Sequence, residues 1–186
     1  MHTLHTGILA SRLHRKLAEW ARERRGQAAV EFALIAAPFF FIIFGLMEIC
    51  LIFIMTTVLE NAVSDTSREI RTGQAQEAGF SEAEFRNAVC NKMFGLMSCD
   101  SSLHIDVQRL TSFSAANLGS PLDSDGNFDD SGFDFQPGSA NEIVAVRAYY
   151  EWGLVTPILS APLANMANGK HLIMASAVFR NEPFGD

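Results

Sequence analysis

Between Ala33 and Leu59 apolar residues follow one another almost without interruption, and Glu48 is the single charge among them. Coiled as a helix at ~1.5 Å per residue, this stretch is ~40 Å long, more than the ~30 Å hydrocarbon core of a bilayer requires. A cleaved secretory signal has an apolar region of only ~7–15 residues followed by a small-residue cleavage site, and no convincing A-x-A site closes this run, so a retained membrane anchor is expected. From Thr56 to Thr72 the pattern stays helical, with Val58, Ala62 and Val63 apolar among polar neighbours, and Gly73 marks the end. One continuous helix, part embedded and part projecting, is predicted. Ser81 followed by Glu84 is a capping-box pair and opens a second helix running to about Met93 or Met97, with Phe85, Val89 and Met93 on one face.

After these helices the period changes. Leu103, Ile105 and Val107 alternate with His104, Asp106 and Gln108, the signature of a half-buried strand. Glu142–Trp152 and His171–Phe179 read as two more strands, with a short helix or irregular segment over Ile158–Met166 between them. The fold expected is α+β: a long N-terminal membrane-spanning helix packed against a small exported antiparallel sheet, with a second helix. Residues 1–26 form a basic cytoplasmic leader, 27–72 the transmembrane and projecting helix, and 73–186 the exported domain. Within that domain, Ser120–Asn141 is rich in Asp, Gly and Ser with interleaved Phe, and reads as a long exposed acidic loop, 120–141.

Charge sets the orientation. The overall net charge is −7, yet residues 1–26 carry Arg12, Arg15, Lys16, Arg22, Arg24 and Arg25 against Glu19 and Glu23, a local +4 that leaves −11 for the rest. Basic residues ahead of a membrane span hold that end in the cytoplasm, so the N-terminus is expected inside and the C-terminal domain outside. An acidic body with no basic patch after Gly26 argues against nucleic acid as a partner.

The segment RRGQAAVEF, Arg24 to Phe32, stands at the membrane entrance. A protease acting at the cytoplasmic face needs an open, extended bond, which glycine permits. Cutting after Gly26 leaves Gln27 with a charged amine and Glu31 one helical turn away, a pairing that apolar surroundings strengthen. On charge alone, a carboxylate favoured by the helix dipole at a helix start is an equal reading of Glu31.

Basic leader, Gly, four residues, Glu and an aromatic resembles the processing pattern of type IV pilin-like proteins. RGQAAVEFALIAAPFFFIIFGLMEI resembles the TadE-like minor pilins and pseudopilins of the tight adherence (Tad, or Flp) pilus, with Gly26, Ala29–Ala33, Pro38 and Glu48 on the family pattern. The ending AVFRNEPF, Ala177 to Phe184, is similar as well, whereas Gly73–Asn141 matches only in outline. The resemblance implies a prepilin peptidase as partner, cutting between Gly26 and Gln27, with Glu31 and Phe32 in the processing motif. It also implies a minor pilin assembled with other pilin and pseudopilin subunits in a bacterial inner membrane, in support of adhesion, biofilm formation or secretion. A signal-anchored envelope binding module that stays uncleaved in the membrane is the competing reading.

A carboxylate inside lipid costs ~2.5–3.5 kcal/mol or more, so Glu48 is read as an intramembrane contact site for a neighbouring helix, near Pro38 and Gly45, which membrane helices tolerate. Cys90 and Cys99 lie close together on the exported side, where oxidising conditions favour a disulfide; no second ligand pair with zinc spacing exists for a metal site. Cys50 is expected to be an unpaired packing residue. Asp123, Asp125, Asp129, Asp130 and Asp134 lack the calcium-loop register and read as a solvated loop, which Phe128, Phe133 and Phe135 would otherwise make a contact surface for another pilus component. No catalytic motif is present: His2, His5 and His14 lie in the leader, and His104 and His171 sit in strand patterns. No enzyme activity, cofactor or small-molecule substrate is expected.

Overall fold

The computed structural model describes residues 24–99, 101–156 and 160–185, and the basic leader expected over residues 1–26 lies almost wholly outside them. The elements in chain order are α1 (Arg24–Arg71), α2 (Gln74–Glu77), α3 (Glu82–Lys92), β1 (Leu103–Leu110), β2 (Ile143–Trp152), α4 (Ser160–Leu163) and β3 (His171–Arg180). The chain divides into two compact units, Met1–Phe44 and Gly45–Asp186.

In the first unit α1 carries Val30, Phe32, Leu34, Ile35, Phe39, Phe40, Phe41, Ile42 and Phe44 exposed to the surroundings. Gly26–Phe44 is ~28 Å at ~1.5 Å per residue, close to one hydrocarbon thickness. An apolar surface on every side of a helix belongs in lipid or against other helices. Pro38 lies inside α1 and the helix continues through it.

In the second unit α1 turns amphipathic. Met55, Leu59, Ala62, Val63 and Ile70 are buried, a spacing of three and four that gives one inward stripe. That stripe packs with Phe85, Val89 and Met93 of α3 and with Leu103, Ile105, Val107, Val144, Val146, Ala148, Tyr150, Ile173 and Ala175 of the sheet. The sheet order is β1-β2-β3, antiparallel throughout; Leu103 pairs with Tyr150, and Trp152 with His171, at one end, while Leu110 pairs with Ile143, and Ile143 with Arg180, at the other. Each fully buried large apolar side chain contributes about 1.5–3 kcal/mol, so this shared core is what holds helix to sheet.

The capping box forms as the Ser81/Glu84 spacing predicts. Glu84 N donates to Ser81 Oγ at 3.3 Å, and Ser81 N donates back to Glu84 Oε2 at 2.7 Å. Ser81 Oγ also donates to Glu84 Oε2 at 2.8 Å, and the bonds from Ser81 N and Ser81 Oγ hold the Glu84 carboxyl below its ordinary range. The helix ends at Lys92 with Met93 as its C-cap, at the nearer of the two expected ends and short of Met97, because Phe94 and Gly95 take left-handed φ of 55° and 71°. Cys90 and Cys99 close a disulfide around this turn, a link of the class that contributes about 2–3 kcal/mol.

Gly73 ends α1 with φ 85°, and a Cβ at that position would lie 2.4 Å from Phe184 Cγ. The C-terminal tail thus seals the helix end: Glu182 N donates to Arg71 O at 2.8 Å, and its carboxylate pairs with Arg71 Nε at 3.3 Å. Asn181 is buried and donates to Pro137 O and Ser139 O, both at 3.0 Å, fastening the tail to the β1–β2 connection.

The acidic loop keeps Asp123, Asp125, Asp129, Asp130 and Asp134 exposed as expected, but it also packs onto the sheet. Residues 134–136 run alongside β1, with Val107 N donating to Asp134 O at 2.8 Å and Gln136 N to Val107 O at 2.7 Å, which covers that sheet edge. Phe133 stacks on Tyr149 with ring centroids 5.3 Å apart, Phe128 meets the His104 ring at 4.2 Å, and Phe135 packs on Phe85 at 5.7 Å. The three phenylalanines are therefore spent on the domain's own sheet and core rather than held out as a contact surface. Because the loop roofs the outer sheet face, Asp106, a polar-side position in the strand pattern, is 0% exposed. It accepts from Arg147 Nε at 2.6 Å, Asp134 N at 3.0 Å and Gln108 Nε2 at 3.1 Å, the set of donors a buried carboxylate requires.

Candidate functional site: the signature segment and the Glu48 clamp

The residues of the signature segment lie on the surface of α1. Gly26 is already helical, with nothing within 4 Å of where a Cβ would stand. The bond after it is thus coiled rather than extended, and a protease that reads an extended strand must first unwind it. Gln27 Nε2 donates to Glu31 Oε1 at 2.8 Å, one turn away on the same face. Glu31 is exposed, and Phe32 is 70% exposed. The first unit thus presents an acceptor carboxylate beside an unpartnered apolar ring.

Glu48 lies elsewhere in the architecture than sequence suggests. Its side chain is 1% exposed. Its partners belong to the same chain: Val155 N donates to Oε1 at 3.0 Å, and Thr156 N and Oγ1 donate to Oε2 at 2.9 and 2.8 Å. The indole Nε1 of Trp152 is buried beside the same carboxylate without meeting hydrogen-bond geometry. A carboxylate held by three donors has no need of a neighbouring helix, which is the physical reason for the difference from the expected contact. Three fixed donors replace the hydration that a charged group would otherwise lose. Pro38 does not join this site; it is exposed in the first unit.

The residues missed from sequence are Val155 and Thr156. Their only advance signal is that Gly153–Gly169 carries no charge, a pattern that does not point to Glu48. Cys50 is free and exposed rather than packed. Phe94, in the disulfide-closed turn, is 84% exposed, and Leu96 beside it is exposed too, which makes a small apolar tip.

The second unit carries one further polar cluster. His104 approaches Asp130 (Nδ1 to Oδ2, 3.8 Å) and Glu151 (Nε2 to Oε1, 3.4 Å), and Glu151 Oε2 accepts from Lys170 Nζ at 3.0 Å. Burial pushes the Glu151 carboxyl up, but the bonds and charge of Lys170, with Asn168 and His104, outweigh it and leave the group below its ordinary range. His171 Nδ1 lies 2.7 Å from Leu163 O, a backbone-satisfied histidine. Asp123 and Asp129 turn their carboxylates onto their own backbone, accepting from Asn127 N at 2.8 Å and Ser131 N at 3.0 Å.

α1 is long and apolar enough to cross a membrane, with the candidate span running Gly26–Arg71. No curated protein and no solved structure matches the chain. Residues 26–68, the stretch of α1 that bears Gly26, Glu31, Pro38 and Glu48, match the family model described as TadE-like protein.

Proposed function

We propose that this chain is a minor pilin or pseudopilin of a tight adherence-type pilus, assembled through its N-terminal helix after a prepilin peptidase cuts between Gly26 and Gln27. The observation that carries the reading is the pairing of the TadE-like match over 26–68 with an α1 whose first unit exposes apolar side chains on every side. A helix of this kind gains nothing from water and gains from lipid before assembly and from neighbouring helices after it. Glu31, exposed on that surface, is placed to receive the new Gln27 amine of its own chain or of a neighbour, and a charge pair of this kind strengthens as water is excluded. The anchor lies in the bacterial inner membrane, N-terminus in the cytoplasm, with the second unit on the far side, as the basic residues before Gly26 favour. Its role is structural, in adhesion, biofilm formation or secretion, and it performs no catalysis.

The test is mass spectrometry of the protein from purified pili and from membranes. A mature chain beginning at Gln27 is expected, with Gly26 or Glu31 substitutions altering processing or assembly. An intact Met1–Asp186 chain in filaments overturns the reading. An uncleaved chain confined to membranes, with normal pili on deletion, would instead identify an envelope binding module held by its signal anchor.

A further inference from the structure

We propose that the start of the connection between β2 and β3 is a second lipid contact of this protein, in which Val155 enters the membrane interface beside α1, held there by the Glu48 carboxylate. The inference rests on α1 spanning a membrane and is independent of whether the chain is a pilin.

The clamp fixes the location. Val155 and Thr156 donate three hydrogen bonds to Glu48, so the start of the connection is tied to α1 at that level. The helix surface around the tie is lipid-like: Leu46, Met47 and Ile49 flank Glu48 and are exposed, as are Phe53 and Ile54 one turn beyond. Val155 is bound through its backbone while its side chain stays 66% exposed, turned away from the protein at a point where the neighbouring surface is apolar. A water-facing loop would hold charge here; instead Gly153–Gly169 has none, and the first flanking charges are Glu151 and Lys170. Trp152 opens the segment, its ring partly buried against the core and its N–H beside the Glu48 carboxylate.

The chemistry of the lipid follows from the flank. Ala167 N donates to Gly126 O at 2.8 Å, which sets the Asp-rich turn of Asp123, Asp125 and Asp129 against the same connection. With no basic residue in Gly153–Gly169 to attract anionic headgroups, the contact is apolar insertion at the acyl–glycerol boundary rather than electrostatic adsorption.

The experiment uses the full chain reconstituted in phosphatidylcholine vesicles, in a Cys50→Ser background with the Cys90–Cys99 bridge intact. Val155→Cys, Leu46→Cys and Asp125→Cys each carry a polarity-sensitive fluorophore, quenched either by nitroxide-labelled lipid or by aqueous iodide. The probe at position 155 is expected to follow the one at 46, with lipid quenching severalfold greater than at 125. Adding Glu48→Ala should release the loop and lower that quenching severalfold. Iodide access at 155 equal to that at 125 overturns the proposal, as does shielding from both quenchers, which would mean a protein partner. Loss of lipid quenching at 46 would instead show that α1 does not span, a failure of the membrane reading itself. Because a labelled position 155 can perturb the loop, Trp152 in a Trp20→Phe chain gives an independent readout: brominated lipid should quench it, and its indifference to that lipid counts against the contact.

Discussion

Glu48 and Thr156, 108 positions apart, meet through two hydrogen bonds to one oxygen: Thr156 N at 2.9 Å and Thr156 Oγ1 at 2.8 Å, both onto Oε2. A residue in the apolar run of α1 is in this way the fixed point for the connection between β2 and β3. The carboxylate that looked like a cost to be met by a neighbouring helix is satisfied within its own chain.

Removing that carboxylate should therefore loosen a loop far away in sequence. Glu48→Ala leaves the Val155 and Thr156 amides without their acceptor, at about 1–3 kcal/mol for each buried donor stranded. Amide exchange at Val155 and Thr156 is expected to accelerate by at least one order of magnitude, in line with ~1.4 kcal/mol per decade, while exchange in β1 stays unchanged. Thr156→Val keeps both backbone bonds and should show only a small part of the effect.

Asp106 and Arg147 form the second long-range tie. Asp106→Asn removes the charge that faces a largely buried guanidinium, and Asn117 O, which accepts from Arg147 Nη1 at 2.6 Å, compensates only in part. Loss of about 3 kcal/mol is expected, the lower end for breaking a buried pair. Denaturant unfolding of the full chain in detergent micelles measures it, and a change below about 1 kcal/mol would place Asp106 among exposed pairs.

At Gly73 two demands coincide. Alanine would have to hold φ near 85° and would drive its Cβ into the Phe184 ring. Gly73→Ala should cost about 1–3 kcal/mol and detach the C-terminal tail from α1. Phe184→Ala relieves the collision but not the backbone strain, so the double substitution should recover only part of the lost thermal stability.

Acid should weaken the second unit. Glu84 and Glu151 both titrate below their ordinary value of 4.5 in the folded chain, Glu84 through Ser81 and Glu151, against its burial, through Lys170. A depressed carboxyl stabilises fully above its unfolded value, and that contribution disappears as pH falls through the lower folded value. Melting temperature should thus be flat near neutrality and drop below about pH 4.5. Glu151→Gln and Ser81→Ala should each lower the neutral value and shrink the acid drop; an unchanged pH profile in both would contradict these assignments.

The features legible in sequence are those set by near neighbours. The apolar run, the stop at Gly73, the Ser81–Glu84 box, the Cys90–Cys99 link and the alternation of Leu103, Ile105 and Val107 all express local periodicity or short-range geometry, and the structure has each of them. The Gly26–Phe32 signature is local too, which is why the family match falls on the helix. What only the tertiary structure decided depends on segments brought together from afar. Phe128, Phe133 and Phe135 follow no helical or strand period, so nothing in their order shows that they roof a sheet still to be paired. Asp106 becomes buried because that roof closes over it, and Glu48 finds its donors because antiparallel pairing of β2 and β3 returns their connection to α1. A buried carboxylate must be matched by donors, and which donors arrive is a property of the closed chain, not of the residues beside it.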